Sequence, residues 1–179
     1  AFGGILTSNQ TIDIKVAEEI NKLFFEVLIA PNFSDSALDI LKSKKNRIII
    51  KLKTYPINKL QTRSCLNGIL EQDIDDKIEK FDDFKVVTKI SPNSTKSDDL
   101  VLASIIVKHT KSNCIAIVKN NQLIGSGMGQ VSRIDALNQA IEKSKIFGFD
   151  LNESCLASDA FFPFSDCVEI SHANNINSI

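Results

Sequence analysis

The spacing of apolar positions changes several times along the chain, and each change marks an element. Val16, Ile20, Leu23 and Phe24 recur three or four residues apart after Asp13, a residue suited to cap a helix. This spacing predicts an amphipathic helix over about 14–25. The opening AFGGIL and the run VLIAP (27–31) read as strands. Ser34 with Asp35 opens a second helix through Ala37, Leu38 and Leu41, and RIIIKL (47–52) is short, β-branched and apolar enough for a buried strand. Strands alternating with helices predict an α/β layer. Residues 53–90 are less regular, with short strands expected around 63–70 and 85–88. The polar stretch SPNSTKSDD (91–99) reads as a hinge between two halves, about 1–90 and 91–179.

The second half repeats this logic. Ser97 is placed to cap a helix that turns Leu100, Ala103, Ser104 and Val107 inward. CIAIVK and QLIGSG flank Asn120-Asn121, a pair suited to a tight hairpin turn. Val131, Ile134, Leu137, Ile141 and Ser144 share one face of a helix over about 130–147, and Gly148 can end it in the left-handed region. An internal repeat is visible: a Gly-containing strand, a helix, an apolar run ending in proline, then Ser-Asp and another helix. It occurs as GGILTSN to PNFSDSALDIL and again as IGSGMGQ to PFSDCVEIS.

Composition narrows the classes. At 179 residues and 43% hydrophobic content, the chain can bury the core of one ordinary domain or of two small lobes. Twenty-one basic against 22 acidic residues give a net charge of -1, which argues against nucleic acid or an anionic membrane as the main partner. No apolar run approaches the length of a membrane span, so a cytoplasmic protein is expected. The first residue is not methionine and the last residues enter another apolar run, which reads as a piece of a longer protein. Cys65, Cys114, Cys155 and Cys167 form no CxxC pair, and His109 and His172 are not spaced as ligands beside them. Reduced, mostly buried thiols and no metal are expected.

Three stretches carry candidate chemistry. GSGMGQVSR (125–133) follows a strand and enters a helix, but its glycine spacing fits neither a dinucleotide fingerprint nor a P-loop. It can bring backbone N–H groups and Arg133 to a ligand, or serve only close strand-to-helix packing. In TKSNC, Asn113 is expected at the edge of the sheet with an amide able to donate and accept. His109, beside Lys108, reads as a helix C-terminal residue more readily than as an acid–base group. LASDAFFPFSDCVEIS (156–171) concentrates three phenylalanines and two aspartates in a turn-like segment with no period to hide them.

AFGGIL, EVLIAP, KSNCIAIVKNNQLIGSGMGQVSRIDAL and LASDAFFPFSD, in that order, resemble the C-terminal transformylase part of the bifunctional AICAR formyltransferase and IMP cyclohydrolase family of purine biosynthesis. The resemblance runs through nearly the whole chain. It implies two related lobes of a cytidine-deaminase-like αβα architecture. Such layers often carry a zinc motif, HxE with PCxxC, which this sequence lacks. It also implies transfer of a formyl group from 10-formyltetrahydrofolate, the co-substrate, to the 5-amino group of AICAR, in a homodimer. Position by position, Gly3 and Glu26 match nucleotide contacts, Asn113 a catalytic-site asparagine, and Arg133 an arginine of the nucleotide site. Phe161 and Asp166 match residues bordering substrate and folate. The aromatic cluster would then meet heterocyclic rings, with Asp166 accepting from a pterin-like N–H system, while Phe162, Phe164 and a capping Ser165-Asp166 serve structure.

The same resemblance sets limits. The family's lysine–histidine pair lies in a KHxxPxG segment ahead of AFGG, and a further arginine- and histidine-bearing segment lies beyond Ile179. Lys108-His109 align elsewhere and are not substitutes. The chain alone is therefore expected to bind ligands weakly without turnover. A nucleotide-binding module without catalysis and a metal-dependent deaminase of the same layering are the other classes, the second disfavoured by the absent ligand spacing.

Overall fold

The computed structural model describes residues 3–54 and 59–179. Ala1 and Phe2 of the expected first strand lie outside the described residues. The chain divides into two compact units, 1–75 and 76–179.

In the first unit, β1 (Gly4–Thr7), β2 (Phe25–Ala30) and β3 (Ile48–Lys51) form a parallel sheet in the order β1-β2-β3. The connecting helices are α1 (Ile14–Asn21) and α2 (Asp35–Lys42). Asp13 caps α1 by accepting from the Val16 N–H at 2.9 Å, and Ser34 caps α2 by accepting from Ala37 at 3.2 Å. Ala17, Phe25, Leu28, Ala30, Ala37 and Leu41 make the core. Helix α1 stops four residues short of the expectation. Leu23 and Phe24 keep helical spacing but stay exposed, whereas Phe25, 4% exposed, is needed in the core as the first residue of β2. The helices cover one face of this sheet. On the other, the registered rows Ile5–Val27–Ile48 and Thr7–Ile29–Ile50 leave Ile5, Ile48 and Ile50 exposed, although parallel sheets are ordinarily covered on both faces. The strand expected around 63–70 is a hairpin of β4 (Leu60–Cys65) and β5 (Gly68–Asp73).

In the second unit, β6 (Ile115–Lys119), β7 (Gln122–Gly127), β8 (Ser154–Ser158) and β9 (Ile176–Ser178) form a sheet in the order β7-β6-β8-β9. β6 runs antiparallel to β7 and β8, and β9 runs parallel to β8. Alternation along β6 sends Ile115 and Ile117 into the core shared with α4 (Arg133–Ile146) and α5 (Asp166–Ala173). Cys114 and Ala116 face the other way, with Val107 of α3 (Ser97–Lys108). The unit is thus three layers, helix on sheet on helices. The succession strand, helix, strand, helix, strand runs through β1–α1–β2–α2–β3 and again through β7–α4–β8–α5–β9, with β6 intercalated in the second sheet.

The Asn120-Asn121 turn forms with both residues at positive φ, 53° and 59°, as a two-residue hairpin demands. Asp99, 4% exposed, fixes it by accepting from their N–H groups at 3.0 and 2.6 Å. Gly148, at φ 75°, follows Phe147, the C-cap of α4, and ends the helix as expected.

Three local expectations fail. SPNSTKSDD lies inside the second unit and leads into α3 through a 3-10 turn, Ser94–Lys96, capped by Asn93. Ser97 does not cap α3: it is the helix's first residue and Lys96 holds the cap position. Residues 85–88 form no strand but line a groove.

Candidate functional site

The glycines of GSGMG resolve first. A Cβ on Gly125 would lie 2.1 Å from Ser144 Oγ and 2.3 Å from the Ala140 carbonyl oxygen. A Cβ on Gly127 would lie 2.0 Å from the Ala136 carbonyl oxygen. Both glycines let α4 lie directly on β7, so the packing reading holds for them. Gly129, at φ 67°, has room around it and serves the turn into α4. That turn is tied to the other end of the hairpin: Asn113 and Gln130 exchange backbone hydrogen bonds at 3.2 and 3.3 Å, and Asn113 Nδ2 donates to the Gln130 carbonyl at 2.9 Å. Asn113 immediately precedes Cys114 and β6, so it lies at the end of a central strand rather than on an edge strand. One N–H of its amide is committed to Gln130. Among the described residues the second N–H and Oδ1 have no partner and can meet a ligand.

Arg133 is the first residue of α4, behind Ser132, which caps the helix by accepting from Asp135 at 3.1 Å. The sequence reading left its partner out. Arg133 Nη1 donates to Asp159, which follows β8, and the two side chains are only 12% and 10% exposed. Asp159 also accepts from the Ser112 hydroxyl and, at 2.8 Å, from the Cys114 backbone N–H. Burial pushes its carboxyl up. The hydrogen bonds from Ser112 and Cys114 and the Arg133 guanidinium outweigh this and hold it below the usual carboxylate value. The sign follows: this contribution to stability is present at neutral pH and is lost as acid takes the carboxylate below about pH 4. Arg133 Nε is buried and has no partner among the described residues.

Phe161 lies two residues past Asp159 and is 80% exposed, on the rim of a groove of 570 Å³ that Phe81, Phe84, Val86, Leu100 and Phe162 also line. Phe162 packs against the core, as expected, but Phe164 is 73% exposed and contributes nothing to it. Ser165 does not cap α5 through its side chain; its hydroxyl donates to Glu169 at 2.7 Å. Asp166 is the first residue of α5, and its carboxylate accepts from the Cys167 N–H at 2.7 Å. The charge of Asp166 raises the Cys167 thiol and that of Arg133 lowers it. Arg133 and the residues on either side of Asn113 thus meet on Asp159, two residues ahead of Phe161, and Asp166 begins the next helix.

Gly3 and Glu26 are neighbours in the first unit. Glu26 is the extra residue where the β1–β2 register shifts, and its carboxylate occupies the space a Gly3 Cβ would need, 1.7 Å away. His109 occupies the C-cap of α3, its N–H reaching the Ile105 and Ile106 carbonyls. Among the described residues no group of three or more His, Cys, Asp or Glu side chains is arranged to hold a metal, and no helix is long and apolar enough to cross a membrane.

Burial, aided by Asp99 for Cys155 and by Asp166 for Cys167, pushes both of these thiols up to about 11, and burial also raises Cys114. Cys65 is exposed. A thiol-reactive dye at pH 8 is therefore expected to label the folded chain once, quickly, and all four cysteines only after unfolding. A second fast equivalent would contradict this burial pattern.

These features define a mixed α/β protein whose second unit carries a buried ion pair tied to the start of β6, and an apolar groove. The chain belongs to the AICARFT/IMPCHase bienzyme family, whose model matches residues 1–143. It is 54% identical over its whole length to a bifunctional purine biosynthesis protein PurH of Bacteroides thetaiotaomicron, of which it covers 35%. It is 44% identical over 99% of its length to the PurH of Acetivibrio thermocellus, and 41% identical over its whole length to that of Aquifex aeolicus, again covering 35% of each. The chain thus spans about a third of the length of these relatives.

Proposed function

We propose that these residues belong to the formyl-transferring part of the family's bienzyme. In this reading the amine of AICAR attacks the formyl carbon of 10-formyltetrahydrofolate. The new C–N bond forms, the bond from carbon to N10 of the folate breaks, the amine loses a proton while N10 gains one, and FAICAR and tetrahydrofolate leave. The observation that supports it most is that Arg133 and the backbone on either side of Asn113, far apart in sequence, meet on Asp159, two residues ahead of Phe161.

The chemistry asked of each follows from its surroundings. The attacking amine is a weak nucleophile because its electron pair is shared with the imidazole ring and carboxamide, so placement matters more than charge. The free N–H of the Asn113 amide is the donor for a carboxamide or for the oxyanion that develops on the formyl carbon, and losing such a donor costs about 10²- to 10³-fold in rate. Arg133, already neutralised by Asp159, orients the nucleotide through directed hydrogen bonds. Phe161 offers a flat face to a heterocycle, and Asp166 accepts from a pterin-like ring. Gly3 and Glu26 are nucleotide contacts of the first unit. The base that takes the amine proton, contributing typically about 10²- to 10⁴-fold, is assigned to the histidine of the family's KHxxPxG segment. A cytidine-deaminase-like ancestry of both units, a homodimer and a cytoplasmic location complete the proposal, with no metal taking part.

The test is a chimaera in which this chain replaces the matching residues of the B. thetaiotaomicron relative. Folate-dependent formylation of AICAR at a rate within about tenfold of the parent is the expected result. A folded chimaera that binds AICAR with no folate-dependent turnover, while the parent formylates, would instead indicate a nucleotide-binding module.

A further inference from the structure

We infer that Asp159 is a positioning residue for this site, holding Arg133 and both flanks of Asn113 in one arrangement; the inference rests on the functional reading above. Three donors from two separate segments meet on its carboxylate. The loop between α3 and β6 contributes the Ser112 hydroxyl and the Cys114 backbone N–H, and the first turn of α4 contributes Arg133 Nη1. The Asp159 N–H in turn donates to the Cys114 carbonyl at 3.3 Å. Asn113 lies between the two loop residues that Asp159 grips, so its backbone is fixed on both sides without a contact from Asp159 to its amide. Arg133 is held at Nη1, while its buried Nε is left unpaired among the described residues. An ion pair that served stability alone would not need the second and third donors, both of which come from the residues next to Asn113.

The neutral sum of the pair has a chemical consequence. With side-chain exposures of 12% and 10%, Arg133 and Asp159 present little net charge, so a ligand here is selected by hydrogen-bond geometry rather than attracted as a bare anion. Moving the carboxylate by even one methylene should therefore misdirect Arg133 and loosen the loop together.

The experiment uses the chain itself, without and with AICAR. In the ligand-free wild type, the buried Arg133 Nε–H should give a resolved, slowly exchanging nitrogen-15 resonance. Asp159→Asn should abolish or shift it and speed amide exchange at Asn113 and Cys114. By calorimetry Asp159→Asn should weaken AICAR binding at least tenfold. Arg133→Met should weaken it comparably, and the double variant should be no worse than the weaker single one, because both remove the same arrangement. Should Asp159→Asn fail to fold, Asp159→Glu, which keeps the charge but displaces it, takes its place, with at least a threefold loss of affinity expected. An unchanged Arg133 resonance in a folded Asp159 variant, or additive losses in the double variant, overturns the inference. Absence of AICAR binding by the wild type overturns the functional reading instead, and the Arg133 resonance then decides the role of Asp159 by itself.

Discussion

Gly127→Ala is expected to unfold the second unit or to lower its stability by about 3 kcal/mol or more, the upper range of what overpacking costs. The added methyl carbon would lie 2.0 Å from the Ala136 carbonyl oxygen and 2.7 Å from the carbonyl carbon behind it. These are backbone atoms inside α4, so no rotamer change relieves the clash. The helix must lift off β7 as a body, and Ala136, Leu137, Ala140 and Ile141 would lose their contacts with the sheet. Against a typical domain stability of about 5–15 kcal/mol, that loss is decisive. Thermal unfolding followed by circular dichroism should show a midpoint lowered by about 10 °C or more. Gly129→Ala is the control. Its Cβ meets only Lys111 Cδ at 4.0 Å, so the strain of a positive φ, roughly 1–2 kcal/mol, is its whole cost. Equal stability of the two variants would mean that the glycines do not set the helix-to-sheet distance.

Asn113→Ala in the chimaera should lower the rate constant for formyl transfer about 10²- to 10³-fold while moving KM for AICAR much less. The side chain presents one uncommitted N–H at the end of β6, and its other donor only ties Gln130. Losing that tie destabilises by about 1 kcal/mol, which leaves the protein folded and the kinetics interpretable. A loss confined to KM would assign Asn113 to ground-state binding. A change under threefold in both parameters would remove it from the site.

Much of the framework was legible because it rests on local chemistry. Asp13 and Ser34 cap where their side chains suggested, Asn120-Asn121 turns where two positive φ values are needed, and Gly148 follows α4. The errors share a cause: a residue able to do a local job was outcompeted by tertiary packing. Ser97 and Ser165 can cap helices, yet Asn93 starts the turn before α3, and Ser165 turns its hydroxyl to Glu169. Phe24 has helical spacing, but Phe25 is the residue the core takes. Phe164, one of three phenylalanines in a short segment, stays outside a core that admits only Phe162.

The site was legible only in part for a related reason. Asn113, Arg133, Phe161 and Asp166 could be singled out by their motifs, but Asp159 joins segments 26 and 47 residues away through a buried carboxylate. No periodicity marks such a contact. The available signal was its position, directly after an apolar strand, SCLAS, where a carboxylate faces the strand ends at which ligands gather in α/β layers. The uncovered face bearing Ile5, Ile48 and Ile50 was hidden for the opposite reason: an isoleucine-rich strand reads as buried whether or not anything covers it.

The central claim is that the junction around Asp159 is a nucleotide site, and backbone amide resonances of the chain titrated with millimolar AICAR test it most directly. The account expects the largest second-unit shifts at Asn113, Cys114, Arg133 and the loop from Asp159 to Phe161. Saturable shifts centred elsewhere in that unit, or none at millimolar nucleotide, would contradict it.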